Sequence, residues 1–235
     1  IQHFCVVKTL GAQGARGDLL RRFHDEARVV VTLNHPGICH VFDVGIVDGA
    51  HYLAMELIEG VSLSGLQRAL AAAGERVPPA LALTIIDAVL EALDYAHLRR
   101  DPGSGQSLDI VHRDVSPQNV MLALSGAVKL IDFGLVTSAL KTEQTVGGLV
   151  AGKLGYMSPE QARGEQLDAR TDVYAAGVLL FELVTGQRFY RELGKNAIML
   201  HLTDGSWMPQ LDDVPAVLRA PLAHALAPER AHRSP

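Results

Sequence analysis

The stretch His112-Arg113-Asp114-Val115-Ser116-Pro117-Gln118-Asn119 is followed further along the chain by Asp132-Phe133-Gly134. Between them lie two short apolar runs, residues 120–124 and 127–131, joined by Ser125-Gly126 in the manner of a tight hairpin. The polar stretch ends where the hairpin begins, and Asp132 stands where it ends, so Asp114 and Asp132 come to one end of one hairpin. That placement suits phosphoryl transfer, in which one carboxylate orients a hydroxyl while Asn119 and a second carboxylate hold a divalent metal against phosphate oxygens. Alone, each triplet reads as an ordinary turn or surface segment; their spacing carries the inference.

Outward from this point, the composition describes a folded chain. It has 235 residues, of which 48% are hydrophobic and 20% charged, enough for a core and too few charges for a disordered tail. A net charge of -5, from 21 basic and 26 acidic residues, argues against a general nucleic-acid binder, which needs a basic face. The two cysteines, Cys5 and Cys39, are too few for a disulfide framework and are not spaced as a zinc site, which suits a reducing, cytoplasmic setting. No run reaches the ~18 apolar residues of a membrane span; the greasiest, residues 173–184, carries Glu182. The start at Ile1, without Met and close to a strand-like run, is expected of an excised piece.

Residues 1–58 read as mostly β: residues 4–7 form a short β-branched run, and residues 40–46 and 51–58 flank the turn Val47-Asp48-Gly49-Ala50. One helix interrupts them over residues 18–33, with Leu19, Phe23, Ala27, Val30 and Val31 at helical spacing and His35-Pro36-Gly37 as its stop. From Ser62 the period turns helical. Leu83, Ile86, Leu90, Leu93 and His97 are predicted to share the buried face of one helix, with Asp87, Glu91 and Asp94 off it. The switch puts a boundary near Glu59-Gly60. Residues 99–109 read as an exposed loop without chemistry, and residues 135–157 as an aperiodic functional segment. Residues 172–183 are apolar nearly all round, the mark of a buried central helix.

With these motifs in place, the sequence resembles a eukaryotic-type (Hanks-type) protein kinase catalytic domain of the bacterial Ser/Thr class. The resemblance implies a bilobal α+β fold: a small sheet-plus-αC lobe over residues 1–58, and a larger, mainly helical lobe over residues 59–235. Cys5-Val6-Val7-Lys8 stands where the family has V-A-I-K, so Lys8 resembles the lysine that grips the ATP phosphates, and Glu26 resembles its αC partner. Met55-Glu56-Leu57-Ile58 looks like gatekeeper and hinge. Val6, Met55, Glu56, Ile58 and Met121 would border the nucleotide, and Asn119 and Asp132 would hold Mg²⁺ in the cleft. Asp114 would orient the substrate hydroxyl, with Arg113 beside it. Ser158-Pro159-Glu160 stands where the family has A-P-E, with Arg233 as its ion-pair partner, and Asp172 where the family ties down the catalytic-loop backbone.

Departures accompany the matches. The Gly-rich loop would precede Lys8 and is not in the sequence, nor is the last helix of the domain. Val6 replaces a smaller residue over adenine. Ser116 replaces a catalytic-loop lysine, and Lys153 replaces a docking-loop threonine, so Lys153 is expected to supply the missing cation near the γ-phosphate. Phosphorylation within residues 135–157 is expected at Thr142 or Thr145, ahead of Thr137 and Ser138, with Arg113 receiving the added charge. Implied partners are ATP and protein substrates, with no nucleic acid and no membrane contact within these residues; relatives often add a membrane tether elsewhere. Two other readings stay open: a catalytically weak kinase-like binding scaffold, which would normally have lost Lys8, Asp114 or Asp132, and a small-molecule phosphotransferase. Arg113, the 158–160 element and Arg233 favour the protein kinase over the latter.

Overall fold

Asp48 and Gly49 both adopt positive φ, 50° and 77°, the backbone of a two-residue hairpin whose twist suits antiparallel strands. The strands it joins are β2 (Val41–Val47) and β3 (Ala50–Glu56), paired from Val47 opposite Ala50. On the other side of β3 runs β1 (Cys5–Leu10), giving an antiparallel sheet in the order β1-β3-β2. Central β3 turns His51, Leu53 and Met55 inward, the alternation of a strand with one face on a core. This computed structural model describes residues 4–10, 30–133, 154–191 and 193–233. Of the helix expected over residues 18–33 only the end, at Val30 and Val31, lies within them.

A second antiparallel sheet, β4 (Gly60–Ser62), β5 (Val120–Ala123) and β6 (Val128–Leu130), opens the larger lobe in the order β4-β5-β6. The β5–β6 hairpin turns at Gly126, φ 89°. Its strands are shorter than the apolar runs that announced them: the Leu124 N–H still bonds to the Glu59 carbonyl (2.8 Å), but the Leu124 side chain lies in solvent. The lobes are stitched at residues 37–39: the Cys39 N–H donates to Leu130 O and the Leu130 N–H to Gly37 O, both at 2.8 Å.

Six α-helices, α1 (Leu63–Ala72), α2 (Pro79–His97), α3 (Pro159–Ala162), α4 (Arg170–Thr185), α5 (Lys195–Asp204) and α6 (Ala216–Ala225), and a 3-10 turn at Arg230–His232 make up the rest of the larger lobe's regular structure among the described residues. The Ser62 hydroxyl caps α1 by accepting from Gly65 N–H (3.2 Å), and α2 starts at Pro79, where a missing N–H costs nothing. As the sequence predicts, α4 is buried nearly all round, and Gly186, φ 67°, ends it. The buried face of α2 is a correction. Ala82, Ile85, Ile86, Val89, Ala92, Leu93 and Ala96 are inside, whereas the predicted Leu83 and Leu90 are 43% and 41% exposed. Helix α2 packs on α4, and close helix packing selects small alanines at the seam over larger leucines beside it. Residues 99–109 are exposed as expected but internally ordered: Asp101 Oδ1 accepts from Gly103 N–H, Ser104 N–H and the Ser104 hydroxyl at 3.1, 2.7 and 2.9 Å. Among the described residues no helix is long and apolar enough to cross a membrane.

Gly60, at the crossing between the lobes, has no room for a side chain: a Cβ there would sit on the carbonyl oxygen of Leu122 and 2.8 Å from the Ala123 Cα. Gly60→Ala should force β4 off β5 and lower unfolding stability by about 1–3 kcal/mol, visible as a reduced midpoint in urea or thermal unfolding.

Candidate active site

Asp172 lies in the first turn of α4 and is wholly buried. A lone carboxylate there would be prohibitively costly, and three donors satisfy it. Oδ2 accepts from His112 N–H (2.7 Å) and faces His97 Nε2 (2.8 Å), while Oδ1 accepts from Arg113 N–H (2.8 Å). Asp172 therefore fixes the backbone of the catalytic loop, as the resemblance implies. His112 is itself fully buried. Its Nδ1 accepts from Asp114 N–H (3.3 Å), its Nε2 faces the Ile131 carbonyl (3.1 Å), and its ring lies 4.5 Å from that of Phe133. That pattern assigns the proton to Nε2, and burial holds the pKa below the usual histidine value, so His112 is a neutral strut between the two acidic segments.

The strut has a conformational cost. Arg113 and Asp132, neither of them glycine, sit at φ 66° and 60°, left-handed geometry that persists only where surrounding contacts impose it. Asn119 reaches back across the loop, donating Nδ2–H to the Asp114 carbonyl (2.8 Å) and to Asp114 Oδ2 (3.1 Å). The Asn119 carbonyl takes Ile131 N–H (2.9 Å), so Asp132 follows at a set distance. Across the cleft, Lys8 Nζ meets Asp132 Oδ2 at 2.9 Å, both partly exposed. Asp114, Asn119, Asp132 and Lys8 are thus brought together. The donor set fits a magnesium-like ion: the Asn119 amide nitrogen is engaged with Asp114, so the Asn119 side-chain oxygen and the Asp132 carboxylate would be the hard oxygen ligands. Among the described residues no group of three or more His, Cys, Asp or Glu side chains could hold a metal alone, so such an ion would share its coordination with phosphate oxygens and water.

The other expected positions divide. Met55 is buried under the sheet, and Val6, Ile58 and Met121 keep partly open surfaces. The Glu56 carboxylate binds Lys129 (2.8 Å) and the His40 N–H (3.2 Å), so any adenine contact from Glu56 is left to its backbone. Ser116 is 2% exposed, and its hydroxyl is enclosed without a hydrogen-bond partner among the described residues, so it is not presented to the cleft. Glu26, Gly134, Thr137, Ser138, Thr142, Thr145 and Lys153 lie outside the described residues. Burial and the Glu56 charge push the Cys39 thiol up to about 11, which removes it as a nucleophile.

Beyond the loop, Arg233 Nη1 and Nη2 grip Glu160 Oε1 and Oε2 at 2.6 and 2.9 Å, both side chains fully buried. The Thr171 hydroxyl adds a third bond (2.9 Å). Sequence reasoning passed over three contributors. His97 was read only as a member of an apolar face. Glu182, inside an apolar run, accepts from the Tyr156 hydroxyl (2.5 Å) and Phe189 N–H (3.0 Å). Gln161 donates Nε2–H to the Arg113 carbonyl (2.9 Å) and with Ser158 forms a capping box; the Ser158-x-x-Gln161 spacing was the available signal.

A family model described as protein kinase domain matches residues 2–222. The chain is 35% identical over 213 residues to the tyrosine-protein kinase MasK of Myxococcus xanthus, covering 89% of this chain and 33% of that protein. It is 36% identical over 170 residues to the serine/threonine-protein kinase PrkC of Bacillus subtilis, covering 72% and 24%. The chain thus spans about a quarter to a third of the length of the curated relatives it matches. Among solved structures it superposes on the PknI kinase domain of Mycobacterium tuberculosis with a TM-score of 0.71 and 30% identity, covering 97% of this chain and 78% of that one.

Arg233→Met should strand the Glu160 carboxylate in a buried site and cost about 3–5 kcal/mol at neutral pH. Burial pushes the Glu160 carboxyl up, but the hydrogen bonds and charge of Arg233 outweigh it and hold the folded pKa below the ordinary value. The pair's contribution is therefore complete above the ordinary glutamate range and lost as pH falls through the lower folded value. Unfolding curves at pH 7 and pH 4 should show a variant deficit that is largest at pH 7 and shrinks in acid.

Proposed function

The chain belongs to the protein kinase domain family, and from that premise we propose that it transfers the γ-phosphate of ATP to Ser or Thr hydroxyls of protein substrates in bacterial signalling. The observation that carries the reading is the convergence of Asp114, Asn119, Asp132 and Lys8 at one end of the β5–β6 hairpin. Asp114 accepts the hydroxyl proton as the oxygen attacks phosphorus, and its orientation is held by Asn119 Nδ2. Lys8 supplies a cation for the phosphates, and Asn119 and Asp132 the ligands for Mg²⁺. When bound, the ion neutralises phosphate oxygens and fixes their geometry. Val6, Met55, Ile58 and Met121 form the apolar wall for the base, between a small lobe to about residue 58 and the larger lobe beyond. Glu26 as partner of Lys8, and Lys153 as replacement for the cation lost at Ser116, complete the proposed set. The setting is cytoplasmic for this domain.

Of the two curated relatives named, PrkC is a serine/threonine kinase and MasK a tyrosine kinase, so the accepting hydroxyl is the point to measure. With the full-length protein, labelled ATP and a generic protein substrate beside an aminoglycoside, label should enter protein and be recovered as phosphoserine or phosphothreonine. Asp114→Asn should lower transfer by about 10²-fold or more while ATP still binds. Undiminished transfer in that variant would sink the assignment, and label in the aminoglycoside alone would replace it with small-molecule phosphotransfer.

A further inference from the structure

The peptide bond between Arg113 and Asp114 is held from both sides. Its N–H donates to His112 Nδ1 (3.3 Å), and its carbonyl accepts from Gln161 Nε2 (2.9 Å). One residue earlier, Arg113 N–H is fixed by Asp172 (2.8 Å). Arg113 sits at φ 66°, a conformation that needs such restraint, and the plane of its carbonyl sets the direction in which the next residue, Asp114, leaves the backbone. Of the three groups that hold these two successive peptides, His112 belongs to the loop itself and Asp172 to the buried helix α4. Gln161 alone comes from α3, the helix of the 158–160 docking element.

Gln161 has two hydrogen-bonding ends, and both are used. Its Oε1 accepts from Ser158 N–H (2.9 Å) while its N–H donates to the Ser158 hydroxyl (3.4 Å), which closes the capping box of α3. Its amide nitrogen goes to the catalytic loop. One planar amide therefore makes the start of the docking helix and the orientation of Asp114 depend on each other. We propose that Gln161 is a positioning residue for phosphoryl transfer, holding the Arg113 carbonyl so that Asp114 points at the substrate hydroxyl only while the docking element is in place. This rests on the kinase reading above.

The two ends of the amide can be separated. A glutamate at the third position of a capping box serves the cap as well as glutamine does, but it offers no N–H to the Arg113 carbonyl. If Gln161 only caps α3, Gln161→Glu should leave both stability and turnover unchanged. As a positioning residue it predicts a kcat lower by roughly 10- to 100-fold, the consequence of a carbonyl left without its donor and an acid turned from its line. The KM for ATP should stay at the parent value, since the nucleotide site is not touched, and the unfolding midpoint should fall by no more than one lost hydrogen bond accounts for, since the cap is kept. Gln161→Met, which removes both ends, should lose kcat and some stability together, and it carries the same test if the introduced carboxylate disturbs folding. Parent-like kcat in a folded Gln161→Glu would overturn the proposal, as would parent-like kcat in Gln161→Met. A parent protein that transfers no phosphate to protein would instead strike the kinase reading itself, so the two failures are told apart by the parent assay.

Discussion

A single buried carboxylate organises the functional half of this molecule. Asp172 is placed by the central helix α4, and its two oxygens collect the N–H groups of His112 and Arg113 together with the His97 ring. The loop so fixed includes a residue in a left-handed conformation, which an isolated loop would abandon. From that anchored backbone follow the neutral state of His112, the contact of Asn119 with Asp114, and the distance from Asp114 to the segment holding Asp132. A carboxylate buried this deeply gives geometric definition more than net stability.

Much of this was legible in the sequence, for a physical reason. Asp114, Asn119 and Asp132 flank a hairpin, and hairpin length fixes how far apart its ends can lie, so local spacing translates into proximity. The buried character of α4 was equally plain, because a helix apolar all round has nowhere else to go. The seam of α2 was misread because hydropathy rewards the size of Leu83 and Leu90, whereas the neighbouring helix rewards the smallness of Ala82, Ala92 and Ala96. His97 and the loop contact of Gln161 escaped because their partners, the Asp172 carboxylate and the Arg113 carbonyl, are 75 and 48 residues away in sequence, and the only local pattern, the capping-box spacing at Gln161, marks the cap and not the distant bond. Glu182 showed only as an interruption in an apolar run, and the structure supplies the hydroxyl and amide that make its burial tolerable.

The 158–160 element and the catalytic loop form a second layer of the same design. Glu160 and Arg233 join a point early in the larger lobe's second half to the end of the described chain, and Arg233 also lies over the Tyr174 ring at 4.8 Å. Helix α3 is thereby fixed to α4, the element that carries Asp172. Catalytic loop and 158–160 element share one foundation, and a disturbance at the start of α4 reaches both.

The ordered excursion over residues 99–109 leads elsewhere. It leaves and rejoins the body of the protein at one place, where Leu108 N–H meets the Arg99 carbonyl at 3.0 Å. Its tip is closed on itself by the three bonds to Asp101 Oδ1. Loop-closure entropy rises only slowly with length once the base is fixed, so the register of His112 on Asp172 is insulated from whatever the tip contains. That makes the tip a natural port for grafted sequence: a reporter tag or a foreign recognition peptide could be carried there while the machinery a few residues downstream remains unaware of it.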